Sequence, residues 1–139
     1  MRMLSSILLA VLGALVLYFS LLSARVAYVY QNETIAGVRL SESGLSSGAQ
    51  KALLAQRGTA AAYAASFAVL FILVAVGPYR KGDVFSWWAL LAGLLTLTLL
   101  TVPRLSLLGV GQGVRTAGYL LGAGVLFLLL DVRRLAGKS

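Results

Sequence analysis

Thr59–Tyr79 reads TAAAYAASFAVLFILVAVGPY, 21 residues without an Asp, Glu, Lys or Arg. A helix crossing the hydrocarbon of a bilayer needs roughly 20 apolar residues in succession, and this stretch supplies them. Towards the N-terminus, Leu4–Leu22 (LSSILLAVLGALVLYFSLL) is a second uncharged run. Towards the C-terminus, Val84–Val102 is a third and Thr116–Leu130 a fourth. The 12 basic and 4 acidic residues of the 139-residue chain all fall outside these runs. At 12% the charged fraction is about half that of a soluble domain. The segregation of charge from the apolar runs, more than mean hydropathy, excludes a water-soluble domain. It predicts an all-α polytopic membrane protein, a four-transmembrane-helix up-down-up-down bundle.

The expected organisation is a single membrane domain over 1–139, with spans at 4–22, 59–79, 84–102 and 113–131 and an external loop at 23–58. The last uncharged run has 15 residues and would cover only about 22 Å at 1.5 Å per residue. It is therefore expected to begin before Arg115, whose long side chain can reach the interface. Arg2 followed by an apolar run resembles a secretory signal. However, 19 residues exceed the roughly 7 to 15 of a signal core, and Leu21-Leu22-Ser23-Ala24-Arg25 lacks its small-residue cleavage pattern, so a retained first span is expected.

Within the loop, Val26–Tyr30 and Thr34–Leu40 are rich in β-branched and aromatic residues and flank the polar Gln31-Asn32-Glu33, a pattern that allows a small β-hairpin. Ser41–Gly48 reads as a Ser/Gly connector, and from Ala49 the pattern turns helical. Gly77-Pro78 closes the second span. The charged turn Arg80-Lys81-Gly82-Asp83 is short enough to make spans two and three antiparallel neighbours.

Four spans put both ends on one side of the membrane. The basic residues then divide six against six between the two sides, those on the terminal side being packed into shorter segments. Positive charge concentrated in short segments favours cytoplasmic termini. The near balance keeps open a chain that inserts both ways and pairs antiparallel with itself. Nine Arg against three Lys, with abundant Ala and Gly, suggests a GC-rich bacterial genome and hence the bacterial cytoplasmic (inner) membrane.

Composition removes much chemistry. Without Cys or His there is no disulfide, thiolate nucleophile, Ser-His-Asp triad or His-ligated metal. No catalytic, cofactor-binding or metal residues are assigned, no cofactor is expected, and the chain is not expected to be an enzyme. Coupled transport usually needs an ionisable side chain within the bilayer, and the four runs have none. A hydroxyl-lined pore would draw on Ser66, Ser86, Thr96, Thr98 and Thr101. Each of these is instead expected to bond its own i−4 carbonyl or a neighbouring helix. The net charge of +8 is carried by residues at the ends of the runs, which suits topology and anionic headgroups rather than nucleic acid. Arg115, Arg80, Lys81, Trp87 and Trp88 are the candidates for contact with membrane lipid.

Small residues carry the remaining signal, because helices in lipid associate where backbones can approach closely. Gly118 and Gly122 form a G-x-x-x-G ridge. Ala61, Ala65 and Ala68, with Ala64 beside them, form a second, and Gly13 with Ala10 and Ala14 a third. These ridges can serve the internal bundle or present a docking face to other integral membrane subunits. The basic Gln56-Arg57-Gly58, the turn Arg80-Lys81 and the segment Pro103-Arg104-Leu-Ser-Leu-Leu with its Gly-rich continuation together resemble a widespread group of uncharacterised four-helix bacterial membrane proteins. That resemblance spans about residues 55 to 115 and implies the bundle alone. The expected function is an accessory or structural subunit of a larger membrane protein complex. The alternative is a binding or transport module for a lipid or hydrophobic small molecule, with an antiparallel homodimer as one form.

Overall fold

The computed structural model describes residues 2–30, 34–35, 38–101 and 114–130. Helix α1 covers Arg2–Arg25 and widens into a π-helical turn at Val26–Tyr30. Two short strands follow, β1 (Thr34–Ile35) and β2 (Val38–Arg39), and then a 3-10 turn at Leu40–Glu42. The remaining elements are α2 (Ser47–Val76), α3 (Pro78–Lys81), α4 (Val84–Thr101) and α5 (Val114–Leu129).

The non-helical part of the 23–58 connection is short: α1 and its π-helical extension run through 30, and α2 begins at Ser47, two residues before the expected helical start at Ala49. Val26–Tyr30 has strand-forming residues, yet it prolongs α1. Extending an existing helix gains one hydrogen bond per residue without a new nucleus, and Ala27 is buried there. Strand pairing is confined to Thr34 opposite Arg39 and Ile35 opposite Val38, so it does not involve 26–30. The expected turn at Gln31–Glu33, the Arg104–Gly113 segment and the basic tail from Asp131 lie outside the described residues.

Local chemistry sets the helix ends. Ser46 caps α2, its hydroxyl accepting from the Ala49 N–H at 3.3 Å, as a serine preceding the first turn does. At the other end Pro78 has no N–H to continue the ladder, and α2 stops at Val76. Gly77 sits so close to the preceding turn that a β-carbon there would lie 2.8 Å from the Leu73 carbonyl oxygen. Gly82, at φ +100°, ends α3 in the left-handed conformation, its N–H donating to the Pro78 and Tyr79 carbonyls, a role suited to glycine.

The chain groups into two compact units, one made of the described residues up to Gly13 and from Leu70 onward, the other of Ala14–Val69. In the first, α4 packs most extensively on α5, with Trp87, Leu90 and Leu94 from α4 and Ala117 and Leu128 from α5 buried. In the second, Leu54, Ala61 and Ala68 of α2 are buried at heptad spacing. Tyr28 there lies directly over Gly58, where any β-carbon would collide with its phenol.

Large apolar side chains are exposed along the outer faces of the long helices. Ser5, Ser6, Ser20 and Ser86 are buried, while Met3, Leu4, Ile7, Val11, Leu15 and Phe19 line the outside of α1, and Leu70 and Leu73 the outside of α2. Two helical stretches, Met3–Val29 and Ser47–Lys81, are long and apolar enough to cross a membrane, and only 22% of each apolar window is buried inside the molecule. A soluble protein's core helix would hide most of that surface from water. The described α4 and α5 have 18 and 16 residues, about 27 and 24 Å at the helical rise.

Candidate functional site

A helix leaves its last four carbonyls without intrahelical partners, and those buried away from water need donors from elsewhere. Three such carbonyls in the first unit receive side-chain donors from other elements. The Ser6 hydroxyl donates to the Ala75 carbonyl of α2 at 2.7 Å. The Ser5 hydroxyl donates to the Phe127 carbonyl of α5 at 2.6 Å, and the Trp87 indole N–H to the Leu128 carbonyl at 3.1 Å. A serine has one hydroxyl proton, and that of Ser5 is directed at Phe127. The Tyr79 hydroxyl, 2.7 Å from Ser5 Oγ, is therefore the donor in that pair. Ser5 is fully buried and Tyr79 is 2% exposed.

This cluster fixes the start of α1, the end of α2, α3, the start of α4 and the end of α5 to one another. It consists of hydroxyl and indole donors matched to backbone acceptors, which suits it to holding helix ends in register. Among the described residues no buried side-chain nitrogen or oxygen lacks a hydrogen-bond partner.

Beside the cluster, Asp83 opens α4. Its carboxylate accepts from the backbone N–H of Phe85 at 3.3 Å and of Ser86 at 2.9 Å, and also from the Ser86 hydroxyl. These bonds favour the ionised form. The Ser86 hydroxyl contributes most to holding the Asp83 carboxyl below its ordinary value, against a smaller opposing effect of desolvation.

The predicted lipid-contact residues separate. Arg80, Lys81 and Arg115 are exposed. Trp88 is 56% exposed, whereas Trp87 is buried and engaged with Leu128. The two indoles meet edge to face, ring centroids 4.9 Å apart. Of the predicted docking residues, Ala61, Ala68 and Gly13 are buried and Ala65 is half-buried. Gly118 and Gly122 are exposed, with open space where a β-carbon would stand. The described glycine of α5 used for close packing is Gly124, where a β-carbon would collide with the end of Leu94 and lie 3.5 Å from Leu12.

Ser66 and Thr98 bond the i−4 carbonyls of Ala62 and Leu94, as expected of hydroxyls on apolar helices. Sequence reasoning did not single out Ser5, Ser6, Tyr79 or Gly124. The available signal for the first two was a pair of adjacent hydroxyls in the opening turns of an otherwise aliphatic run. No protein-family model, no characterised protein and no solved structure matches the chain.

Proposed function

We propose that the chain is a non-catalytic, four-span integral protein of the bacterial cytoplasmic membrane, with both termini in the cytoplasm. In this proposal it is an accessory subunit that docks onto a transmembrane helix of a larger complex through the outer face of α5. The observation that carries this is the open space over Gly118 and Gly122, on the same helix whose Gly124 is filled by Leu94. Helix association in lipid depends on close backbone approach. A G-x-x-x-G ridge that no other described residue covers is a surface on which a second helix can settle. The outward-facing apolar side chains of α1 and α2 and the resemblance to four-helix bacterial membrane proteins support the placement in a bilayer.

The test is native mass spectrometry of the tagged full chain, extracted mildly from its own membrane, beside the Gly118→Leu/Gly122→Leu variant. The parent is expected to emerge with a stoichiometric second polypeptide, and the variant without it at unchanged helical content. A parent that emerges alone or as a homodimer, or a variant that keeps the second polypeptide, overturns the proposal.

A further inference from the structure

The turn joining α3 to α4 carries two cations that the described molecule leaves unmatched. Arg80 and Lys81 are exposed, and the ion pair among the described residues is elsewhere, between Arg39 and Glu42. The acid nearest in sequence, Asp83, is committed to the first turn of α4 through Phe85 and Ser86. Its charge is thereby matched to the N–H groups of that turn rather than to the two basic side chains.

Next to these cations stands a pair of exposed aromatics. Phe85 is 78% exposed and Trp88 56%, and at i and i+3 they share one face of α4. Trp87 does not belong to this face, since its N–H is held by Leu128. Cations followed within one turn by outward aromatics reproduce the layering of a membrane interface, phosphate first and then the boundary with the acyl chains. The backbone that presents them is held on both sides, by the buried Tyr79 bonded to Ser5 and by Gly82 closing α3. A ligand therefore meets a preformed surface, with less ordering cost than a flexible loop would impose.

We propose that the α3–α4 turn binds the phosphate of an anionic phospholipid through Arg80 and Lys81, with Phe85 and Trp88 seated at the acyl boundary beside it. Charge complementarity selects the occupant. Two adjacent cations with no ion pair to a described acid favour a headgroup of net negative charge over a zwitterionic one, which brings a cation of its own.

The experiment places the purified full chain in nanodiscs of phosphatidylcholine mixed with phosphatidylglycerol and counts retained lipids by native mass spectrometry. The parent is expected to retain phosphatidylglycerol in preference, and Arg80→Gln/Lys81→Gln to weaken that preference about thirtyfold, the factor that two basic side chains near an anionic surface supply. Raised salt is expected to erode the preference of the parent, because exposed charges are screened. Lys51→Gln, a change at an exposed cation assigned no part in lipid contact, is expected to leave it intact. With brominated phosphatidylglycerol, Trp88→Phe should abolish most of the fluorescence quenching.

Equal retention by the double variant and the parent overturns the proposal. So does an equal loss in Lys51→Gln, which would make any surface cation sufficient, and so does displacement of the lipid by an acidic polypeptide. All three variants alter exposed side chains, and unchanged helical circular dichroism confirms that their folds are intact. Because the purified chain is used alone, this outcome is independent of whether α5 docks onto a second subunit.

Discussion

Tyr79 and Ser5, 74 residues apart, share a 2.7 Å hydrogen bond at the buried end of the first unit. Ser5 accepts from the tyrosine and donates to the Phe127 carbonyl, so it stands in the middle of a three-group chain. Ser5→Ala removes an acceptor and a donor together, and with the donor the side-chain bond to the Phe127 carbonyl, at a cost of about 1 to 3 kcal/mol. Tyr79→Phe removes only the outer donor, which for a bond between membrane helices averages about 0.6 kcal/mol. Reversible unfolding in mixed micelles should rank Ser5→Ala as the more damaging change. A reversed order would mean that the serine is not the centre of the chain.

Gly124 offers a contrast within one helix. A β-carbon there meets the end of the Leu94 side chain, while at Gly118 and Gly122 it meets nothing. Overpacking a close helix contact typically costs about 1 to 3 kcal/mol, so Gly124→Val should lower the unfolding midpoint of the isolated protein. Gly118→Val should stay within about 0.5 kcal/mol of the parent, as changes at open surface positions do. The same unfolding assay on the isolated chain separates them.

The adjacent tryptophans should respond differently to the same substitution. Trp87→Phe gives up the bond to the Leu128 carbonyl and leaves that carbonyl without its side-chain donor, a loss of about 1 kcal/mol or more. Trp88→Phe alters an exposed ring and should be nearly neutral. Emission spectra of the two single-tryptophan proteins provide a second check, with the indole at 87 expected to be the less accessible to an aqueous quencher.

Asp83 predicts a pH response with a definite sign. Its carboxyl lies below the ordinary 3.8, chiefly because of the Ser86 hydroxyl. A lowered folded-state value means that the cap contributes its stabilisation above the unfolded value and loses it as pH falls through the folded one. Stability should therefore be insensitive to this group from neutral pH down to about pH 4, and its contribution should fade only below that. Asp83→Asn keeps a competent cap while removing this acid-side response, and Ser86→Ala should move the response to higher pH. Denaturant titrations of the parent and both variants at a series of acid pH values test this.

Much of the helical framework was legible because charge is excluded from long apolar runs and because Gly77-Pro78 can end a helix but not continue one. The packing was less legible for geometric reasons. The spacing of Gly118 and Gly122 places them on one face, but not whether that face turns inward. Gly124, two residues after Gly122 and about 200° further round the helix, is the one against which Leu94 packs. Trp87 and Trp88 are equivalent by composition, and only tertiary structure distinguishes the anchored indole from the exposed one. Ser5 and Ser6 resemble hydroxyls that bond their own helix, and their true acceptors lie 122 and 69 residues away. Val26–Tyr30 follows its neighbour α1 rather than its own strand preference, as short segments beside a strong helix do.

The capping of α2 and α5 by two consecutive serines of α1 also bears on biogenesis. On a ribosome α1 emerges before the other described helices and α5 after them. The hydroxyl of Ser5 must therefore wait through the synthesis of 122 further residues before its acceptor exists. During that interval the nascent first helix carries serine hydroxyls whose acceptors in the folded chain have not been made. Completion of the last described helix is what finally supplies the Ser5 hydroxyl with its acceptor.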